Sequence, residues 1–284
     1  MKRIIVGTMT WGAWGRKFSP SEMTSLIDHC AALGLNSFDH ADIYGGYTTE
    51  KEFGNSLKKS GVSRHDLCHI TKCGIQYPCE QRPLSVKHYN YTKTHIIASV
   101  ENSLRHLHTD YLDVVLLHRP SPLMETDLIA DAFSTLEKAG KVKGFGVSNF
   151  TPQQMTLLRQ SVSLDWNQVE CSLSASKVMF DGTLDYHQTH GIGTMAWSPL
   201  GDYFKGGEEK TPTRELLGKL CQKYSASPDQ LLLAWLLQHP AKIHPVVGTT
   251  RVDRLENALS AQTISLDLED WFAMLEANNG TPVP

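Results

Sequence analysis

Residues 38–45 read Phe38-Asp39-His40-Ala41-Asp42-Ile43-Tyr44-Gly45, a short strand-like run that ends on polar side chains. Four later strings have the same form: Ile70-Thr71-Lys72, Leu116-Leu117-His118, Gly146-Val147-Ser148-Asn149-Phe150 and Val246-Val247-Gly248-Thr249-Thr250. In a barrel of alternating strands and helices, the carboxyl ends of the strands converge on one face. We therefore expect residues scattered from 39 to 250 to share a single pocket.

The same strand-and-helix unit recurs along the chain. Eight apolar, β-rich runs lie at Ile4–Met9, Asn36–Asp39, Leu67–Lys72, Leu112–Leu117, Gly144–Ser148, Asp165–Val169, Gly193–Trp197 and Ile243–Val247. Helical patterns lie between them at Ser21–Leu33, Thr49–Ser60, Thr92–Leu107, Thr126–Ala139, Pro152–Gln160, Asp181–His190 and Pro228–Gln238, with an extra helix near Leu266–Leu275. Strands that are apolar on both faces and alternate with helices predict an α/β fold, a (β/α)8 TIM barrel. No linker divides the chain, so we predict a single domain over residues 1–284.

Composition limits the partners of the protein. A formal net charge of -3 gives no general attraction to nucleic acid or to an anionic membrane, so any phosphate recognition must be local. The apolar run Leu231–Leu237 is too short to span a bilayer, and Met1–Thr8 lacks the long apolar stretch of a signal peptide. The six cysteines form no Cys-x-x-Cys pair, which favours free thiols. We therefore predict a cytoplasmic protein with no metal, no nucleic-acid partner and no membrane association.

Three of the strand ends carry Asp39 with Tyr44, Lys72 and His118, a combination of residues suited to proton transfer. A phenol is a poor acid at neutral pH, but a nearby ammonium such as Lys72 lowers its pKa, and Asp39 can hold Lys72 in place. His118 can donate a hydrogen bond that orients a carbonyl oxygen beside Tyr44. None of the four is an obvious carbon nucleophile, so we expect a nicotinamide hydride to attack the carbonyl carbon.

With these motifs the chain resembles the aldo-keto reductases over essentially its whole length. The likeness is greatest to a bacterial branch with Asp-His-Ala-Asp-Ile-Tyr-Gly-Gly-Tyr after the second strand and His-Arg-Pro after the fourth. The resemblance implies a monomeric (β/α)8 barrel that binds NADP(H) without a Rossmann fold and reduces aldehydes or ketones, with Asp39, Tyr44, Lys72 and His118 as the catalytic tetrad. The resemblance also allows a second function, that of a regulatory subunit with the same fold and a bound cofactor.

The resemblance also assigns residues to the cofactor. Ser148, Asn149 and Gln168 match positions that bind the nicotinamide carboxamide, and Trp197 matches an aromatic ring stacked on the nicotinamide. The remaining assignments are Ser198 and Leu200 at the pyrophosphate, and Gly7, Thr8 and Trp11 at the barrel mouth near the ribose and the substrate.

The last strand-to-helix turn has the properties of a phosphate site. The backbone amides of Gly248, Thr249 and Thr250 lie at a predicted helix start, where unpaired N–H groups and the helix dipole attract anions. Arg251 and Arg254 follow, and they suit the 2′-phosphate that distinguishes NADP(H) from NAD(H). Family members often continue Arg-Leu-x-Glu-Asn, whereas this chain reads Arg254-Leu255-Glu256-Asn257, so the adenine contacts stay open.

Substrate contacts are predicted from the aromatic and basic residues near the tetrad. The candidates are Trp11, His88, Tyr89, Tyr91 and Arg119, and Arg119 would favour a carboxylate. Two long connections on this face, Gly74–Tyr91 and Leu200–Pro212, are of the length that usually forms lids or binding loops.

Two hydrolytic activities also fit part of the pattern and are alternatives to carbonyl reduction. A glycosidase would pair Asp39 or Asp42 with Glu170, but it leaves Lys72 and the phosphate-like turn unexplained. A metal-dependent hydrolase would use His40, His69 and His118 as ligands, but His69 and Lys72 point to opposite faces of a regular strand.

Overall fold

The structure is a computed structural model that describes residues 3–206 and 211–283. Eight parallel strands close into a barrel in the order β1-β10-β9-β8-β7-β6-β3-β2, as the sequence predicts. The barrel strands are β1 (Ile5–Gly7), β2 (Ser37–Asp39), β3 (Cys68–Cys73), β6 (Val114–Leu117), β7 (Phe145–Ser148), β8 (Trp166–Glu170), β9 (Gly193–Trp197) and β10 (His244–Val247). Two short strands, β4 (Ile75–Gln76) and β5 (His88–Tyr89), pair antiparallel and make a hairpin of the connection after β3.

Helices cover the outside of the barrel, except for a four-residue turn that carries Tyr44 at the strand ends and contains the left-handed Gly45 and Gly46. They are α1 (Pro20–Ala32), α2 (Tyr44–Tyr47), α3 (Thr49–Leu57), α4 (Lys93–Leu107), α5 (Thr126–Lys138), α6 (Pro152–Leu158), α7 (Thr183–His190), α8 (Thr211–Tyr224), α9 (Pro228–Leu237), α10 (Val252–Ser260) and α11 (Leu268–Asn279). Of the predicted loop Leu200–Pro212, residues 207–210 lie outside the described residues, and α8 begins at Thr211. Within residues 3–206 and 211–283, no helix is long and apolar enough to cross a membrane.

Local signals in the sequence start several of these helices. Ser19 caps α1 and exchanges hydrogen bonds with Glu22, and Thr151 caps α6 in the same way with Gln154. Such capping boxes satisfy amide groups that the first helical turn leaves unpaired. Proline follows the cap in both helices, where its fixed φ favours helix initiation. These caps fix where the chain leaves the strand ends and turns back along the barrel.

The parallel register brings the polar strand ends to one face. Asp39 on β2 lies opposite Ile70 on β3, and Lys72 lies opposite Leu116 on β6, two residues before His118. The barrel interior beneath them is filled by a small cluster of buried apolar residues: Ile5, Ile70, Val114, Leu116, Met195 and Val246. Because this lumen is packed with side chains, a ligand can enter only from the face that carries the polar ends.

Candidate active site

Lys72 is the centre of a buried polar cluster. Its Nζ atom donates to both carboxylate oxygens of Asp39 at 2.7 Å, to the backbone oxygen of His40 at 2.9 Å and toward the Tyr44 hydroxyl at 3.1 Å. Lys72 is 1% exposed, Asp39 2% and Tyr44 8%. A lysine this buried is stable only when paired, and Asp39 supplies the pair. The structure therefore brings together the Asp, Lys and Tyr that the sequence predicts.

Burial and charge act in opposite directions on these groups. Burial by itself lowers the pKa of Lys72, but the Asp39 carboxylate and the Tyr44 hydroxyl outweigh it and raise that pKa. Burial raises the pKa of Tyr44, and Lys72 offsets only part of the increase. The expectation that Lys72 brings the Tyr44 pKa below that of a free phenol is therefore wrong, because desolvation has the larger effect. At neutral pH Lys72 is charged and Tyr44 keeps the proton that an acid must donate.

His118 completes the cluster as a neutral side chain. Its ring lies edge-on to the Tyr44 ring, with 6.2 Å between the centroids, and it is 8% exposed. Burial, together with the charges of Lys72, Arg119 and Lys87, holds the pKa of His118 well below its usual value. A neutral imidazole carries one N–H donor, which suits a hydrogen bond to a carbonyl oxygen beside Tyr44.

A chain of hydrogen bonds joins the tetrad to the predicted nicotinamide contacts. The Gln168 amide donates to Asp39 Oδ1 at 2.8 Å, and the Ser148 hydroxyl donates to the Gln168 backbone oxygen at 3.0 Å. The Asn149 amide then donates to Ser148 Oγ at 2.8 Å, and Trp197 Nε1 donates to Asn149 Oδ1 at 2.9 Å. Strands β2, β3, β7, β8 and β9 therefore hold one continuous polar network that fixes these side chains relative to Lys72.

Two residues of this region have left-handed backbone. Asn149 has φ +61° and Ser198 has φ +50°, each directly after the end of a barrel strand. Residues other than glycine rarely adopt this conformation, so each costs about 1–3 kcal/mol and persists only because surrounding contacts enforce it. The sharp turns bend the chain back over the strand ends and aim Asn149 at Trp197.

A cavity of about 410 Å³ opens beside Trp197, at the ends of β9 and β10. Predicted cofactor residues make up much of its wall: Ser198, Leu200, Gly248, Thr249, Arg251 and Arg254. A Cβ atom at Gly248 would meet no atom within 4 Å, so the backbone there is open to a ligand. Arg254 makes no ion pair with the acids of the described ranges, whereas Arg251 is paired with Asp253, its Nε donating to Oδ1 at 3.0 Å.

The wall also contains residues that the sequence did not indicate, among them Phe204, Asp229 and Asp253. Asp229 accepts from Asn257 at 3.4 Å, so the displaced Asn257 lines the cavity but is turned toward a carboxylate. The ion pair between Arg251 and Asp253 could have been predicted, because Asp253 lies two positions after Arg251 in the sequence. Asp229 comes from α9, and no local pattern indicates that this helix reaches the cavity.

Trp11 was assigned to the barrel mouth, and this assignment is wrong. Its side chain has no exposed surface, and its ring packs against Phe18, Phe38 and Phe53 in the core. Trp14, three residues later, occupies the place expected of Trp11. Its ring lies 6.1 Å from that of Tyr44 and 5.3 Å from that of Tyr77, and it is 39% exposed.

Tyr91 is also placed in the interior and not in a substrate pocket. It is 6% exposed, and its hydroxyl donates to the Arg119 backbone oxygen at 2.6 Å and accepts from the Arg119 N–H at 3.1 Å. His88 and Tyr89 are exposed on the hairpin strand β5. Arg119 faces the site, since its guanidinium carbon lies 5.4 Å from the centroid of the Trp197 ring. Gly7 and Thr8 are buried at the end of β1.

The geometry does not support the two hydrolytic alternatives. Asp39 is bound to Lys72, and both Asp42 oxygens are buried without a hydrogen-bond partner among the residues that the structure describes. Glu170 is exposed and lines a different groove. His40 Nδ1 lies 3.0 Å from Thr8 Oγ1, and among residues 3–206 and 211–283 no group of His, Cys, Asp and Glu could hold a metal ion.

A closed parallel barrel with a buried Asp, Lys and Tyr and a neutral His at one end defines a class of carbonyl-reducing enzymes. The profile of the Aldo/keto reductase family matches residues 3–279, and this chain belongs to that family. It is therefore an oxidoreductase, and members of the family use nicotinamide cofactors and small carbonyl substrates.

Named relatives agree with this assignment. The uncharacterized oxidoreductase YcsN of Bacillus subtilis (strain 168) is 42% identical across 99% of this chain and 96% of its own. The 6-dehydroglucose reductase of Agrobacterium fabrum (strain C58) is 39% identical across 90% of this chain and 87% of its own. The crystal structure of the thermostable aldo-keto reductase Tm1743 with the inhibitor epalrestat superposes with a TM-score of 0.83, at 26% identity over 98% of this chain and 95% of that one.

Proposed function

We propose that this protein reduces aldehydes or ketones to alcohols with NADPH, and that Tyr44 is the general acid. The observation that carries the proposal is the 3.1 Å contact between the Lys72 ammonium and the Tyr44 hydroxyl, with Lys72 held by both oxygens of Asp39. Lys72 stabilises the phenolate that forms once the proton has left. Tyr44 is reprotonated from solvent after the alcohol has left the site.

The residues around the 410 Å³ cavity fit a dinucleotide. The open backbone at Gly248 and Thr249 suits phosphate oxygens, and Ser198 and Leu200 line the same cavity. Gly248 and Thr249 lie in the turn before α10, which begins at Val252 with Arg251 as its N-cap and not at Gly248 as the sequence predicts. Asn149 and Ser148 suit a carboxamide, and the Trp197 ring suits stacking. Bound NADPH supplies the hydride that reduces the carbonyl carbon.

The protein's own part in the reaction is to position and protonate the carbonyl oxygen. His118, kept neutral by burial and by neighbouring cations, donates a hydrogen bond to that oxygen. Tyr44 delivers the proton as negative charge develops. Trp14 and Tyr77 form an aromatic wall beside Tyr44 that limits access of water.

A preference for NADPH over NADH rests mainly on Arg254. Arg251 already has a partner in Asp253, whereas Arg254 lines the cavity without an ion pair in the described part of the chain. A guanidinium without a partner binds a phosphate by paired hydrogen bonds. The 2′-phosphate is the group by which NADPH differs from NADH.

Oxidation of NADPH and of NADH, followed with a panel of aldehydes and ketones, tests the proposed function. Turnover with at least some members and tighter binding of NADPH are the expected results. Binding of NADPH without turnover of any carbonyl would instead indicate a cofactor-bound regulatory subunit. Arg254→Ala should lose the preference for NADPH. Its matched control is Arg105→Ala, because Arg105 is an exposed arginine on α4 whose partner is Asn102.

We also propose that residues 1–284 act as one monomeric domain in the cytoplasm. Barrel strands come from Ile5 through Val247, so one closed sheet uses most of the chain. All six cysteines are free, which suits a reducing compartment. Light scattering on the purified protein should give a mass near 31.7 kDa, and twice that mass would contradict the monomer.

A further inference from the structure

Arg119 is a cation at the mouth of the site that the reduction chemistry does not use. It follows His118 directly, and its guanidinium lies over the Trp197 ring at 5.4 Å. It makes no ion pair with any acid in residues 3–206 or 211–283. A half-buried arginine that stacks on an aromatic ring keeps its hydrogen-bond donors available for a ligand.

The backbone of Arg119 is held firmly in place. The buried Tyr91 hydroxyl bonds to both its N–H and its C=O, so one phenol fixes the direction of the chain there. The ring of Tyr91 fits only because residue 74 is a glycine. A Cβ atom on Gly74 would come within 1.9 Å of Tyr91 Cε1, and Gly74 has φ +106°. Tyr91 and Gly74 together thus fix the backbone from which the Arg119 side chain extends.

The charge around His118 is positive. Lys72, Arg119 and Lys87 all contribute to the lowered pKa of His118, and within the described ranges Lys72 alone among them is paired with a carboxylate. Lys87 is exposed beside β5, and it makes no ion pair with the described acids. In a chain of net charge -3, this is a local excess of positive charge next to the proposed carbonyl position.

We propose that Arg119, assisted by Lys87, forms an anion subsite that selects carbonyl substrates bearing a carboxylate. The proposal rests on the proposed reductase function and names its substrate class. Arg119 binds both oxygens of the carboxylate, while the carbonyl at the other end of the substrate lies between Tyr44 and His118. Aldehydes with a carboxylate a few bonds away, such as semialdehydes, have this shape.

Matched pairs of substrates test the subsite. Succinic semialdehyde is compared with its methyl ester, and 4-carboxybenzaldehyde with methyl 4-formylbenzoate, because each pair differs mainly in charge. The wild-type protein should favour the acid in kcat/KM by about tenfold or more, the effect of one hydrogen-bonded charge. Arg119→Met should remove most of that ratio, Lys87→Met a smaller part, and Arg119→Lys should retain some of it. Arg105→Met, on the exposed face of α4, should leave the ratio unchanged.

Three outcomes would overturn the subsite while leaving the reductase function intact. They are equal kcat/KM for acid and ester in the wild type, the same ratio in Arg119→Met, and a rise in the NADPH Kd of Arg119→Met without a change in ratio. The last would assign Arg119 to the cofactor. If no carbonyl is reduced, the proposed function fails. Tryptophan fluorescence then tests whether the subsite binds a carboxylate. Quenching by succinate that Arg119→Met abolishes supports it, and equal quenching in both proteins overturns it.

Discussion

The Lys72 ammonium donates to both carboxylate oxygens of Asp39, at 2.7 Å each, in a pair that is almost fully buried. Neither charge is stable there without the other, because burial strips both of water. The pair explains how a lysine remains charged inside a barrel and therefore how it can act on Tyr44.

Breaking the pair should destabilise the protein and change its pH dependence. Asp39→Asn leaves a buried ammonium without a counter-charge, which costs about 3–5 kcal/mol of unfolding free energy. Burial then dominates the pKa of Lys72 and lowers it, so the lysine loses its charge as pH rises, and residual activity should survive best at low pH.

A double-mutant cycle separates the pair from its surroundings. Lys72→Met should cost a similar amount, whereas Asp39→Asn combined with Lys72→Met should cost much less than the sum. The measurement is urea unfolding of the four proteins. Additive losses would show that the two residues stabilise the barrel independently.

Glu50 makes the folding stability depend on pH. It is buried between β3 and α4, where it accepts hydrogen bonds from Thr71 and Ser103, and burial raises its pKa to about 7. The folded protein holds the Glu50 proton more tightly than the unfolded chain, where the carboxyl pKa is near 4.5. The contribution of Glu50 to the unfolding free energy is therefore fully present below pH 4.5 and is lost as pH rises through 7. The difference amounts to roughly 3 kcal/mol.

Glu50→Gln should therefore be more stable than the wild type at pH 8 and close to it at pH 4.5. Comparing the two proteins at each pH cancels the opposing effect of the buried His69, whose pKa burial lowers to about 3. Unfolding free energies that differ by the same amount at every pH would show that Glu50 does not titrate in this range.

The two arginines of the cavity should contribute unequally to cofactor choice. Replacing both Arg251 and Arg254 with Ala should raise the Kd for NADPH by about tenfold or more, since a charged hydrogen bond contributes about 1.5–3 kcal/mol. The Kd for NADH should change little. Arg254→Ala alone should account for most of the effect, because Arg251 is paired with Asp253. A fluorescence titration that shows equal losses of affinity for NADPH and NADH would indicate that the two arginines stabilise the fold and do not recognise the 2′-phosphate.

The hairpin after β3 should govern substrate choice. Gln76 and His88 lie opposite each other, so replacing residues 77–87 with Asn-Gly joins them by a two-residue turn and leaves Tyr91 in place. This removes Tyr77 and Lys87, and kcat/KM should change very unequally across a carbonyl panel. The Kd for NADPH should stay near its wild-type value. A uniform fall in kcat/KM with an unchanged ranking of the carbonyl substrates would indicate that the hairpin has only a structural role.

The grouping of the site residues was predictable from sequence, because the carboxyl ends of all the barrel strands lie on one face. Asp39, Lys72 and His118 each follow an apolar run, and parallel pairing brings them to one face. Local spacing could not separate Trp11 from Trp14, because the tight turn from Thr8 to Trp11 decides which of them enters the core. The helix α8 is absent from the predicted elements, although Leu217, Leu220 and Tyr224 follow a helical spacing.

The electrostatics were less predictable than the positions. The direction of the Tyr44 pKa depends on how deeply the whole barrel buries it, which no motif reveals. The two-sided hydrogen bond between Tyr91 and Arg119 likewise depends on the hairpin fold and on Gly74. Sequence spacing indicates which side chains meet, and burial decides their charge.

The central claim is that Tyr44 donates the proton in NADPH-dependent carbonyl reduction. Its most direct test is a stopped-flow measurement of NADPH oxidation by wild-type protein and by Tyr44→Phe, with one aldehyde at saturating cofactor. General acid catalysis contributes about 10²–10⁴-fold, so the variant should lose at least a hundredfold in rate while its Kd for NADPH stays near the wild-type value. A loss of less than tenfold, with the cofactor bound normally, would contradict the assignment of Tyr44 as the acid.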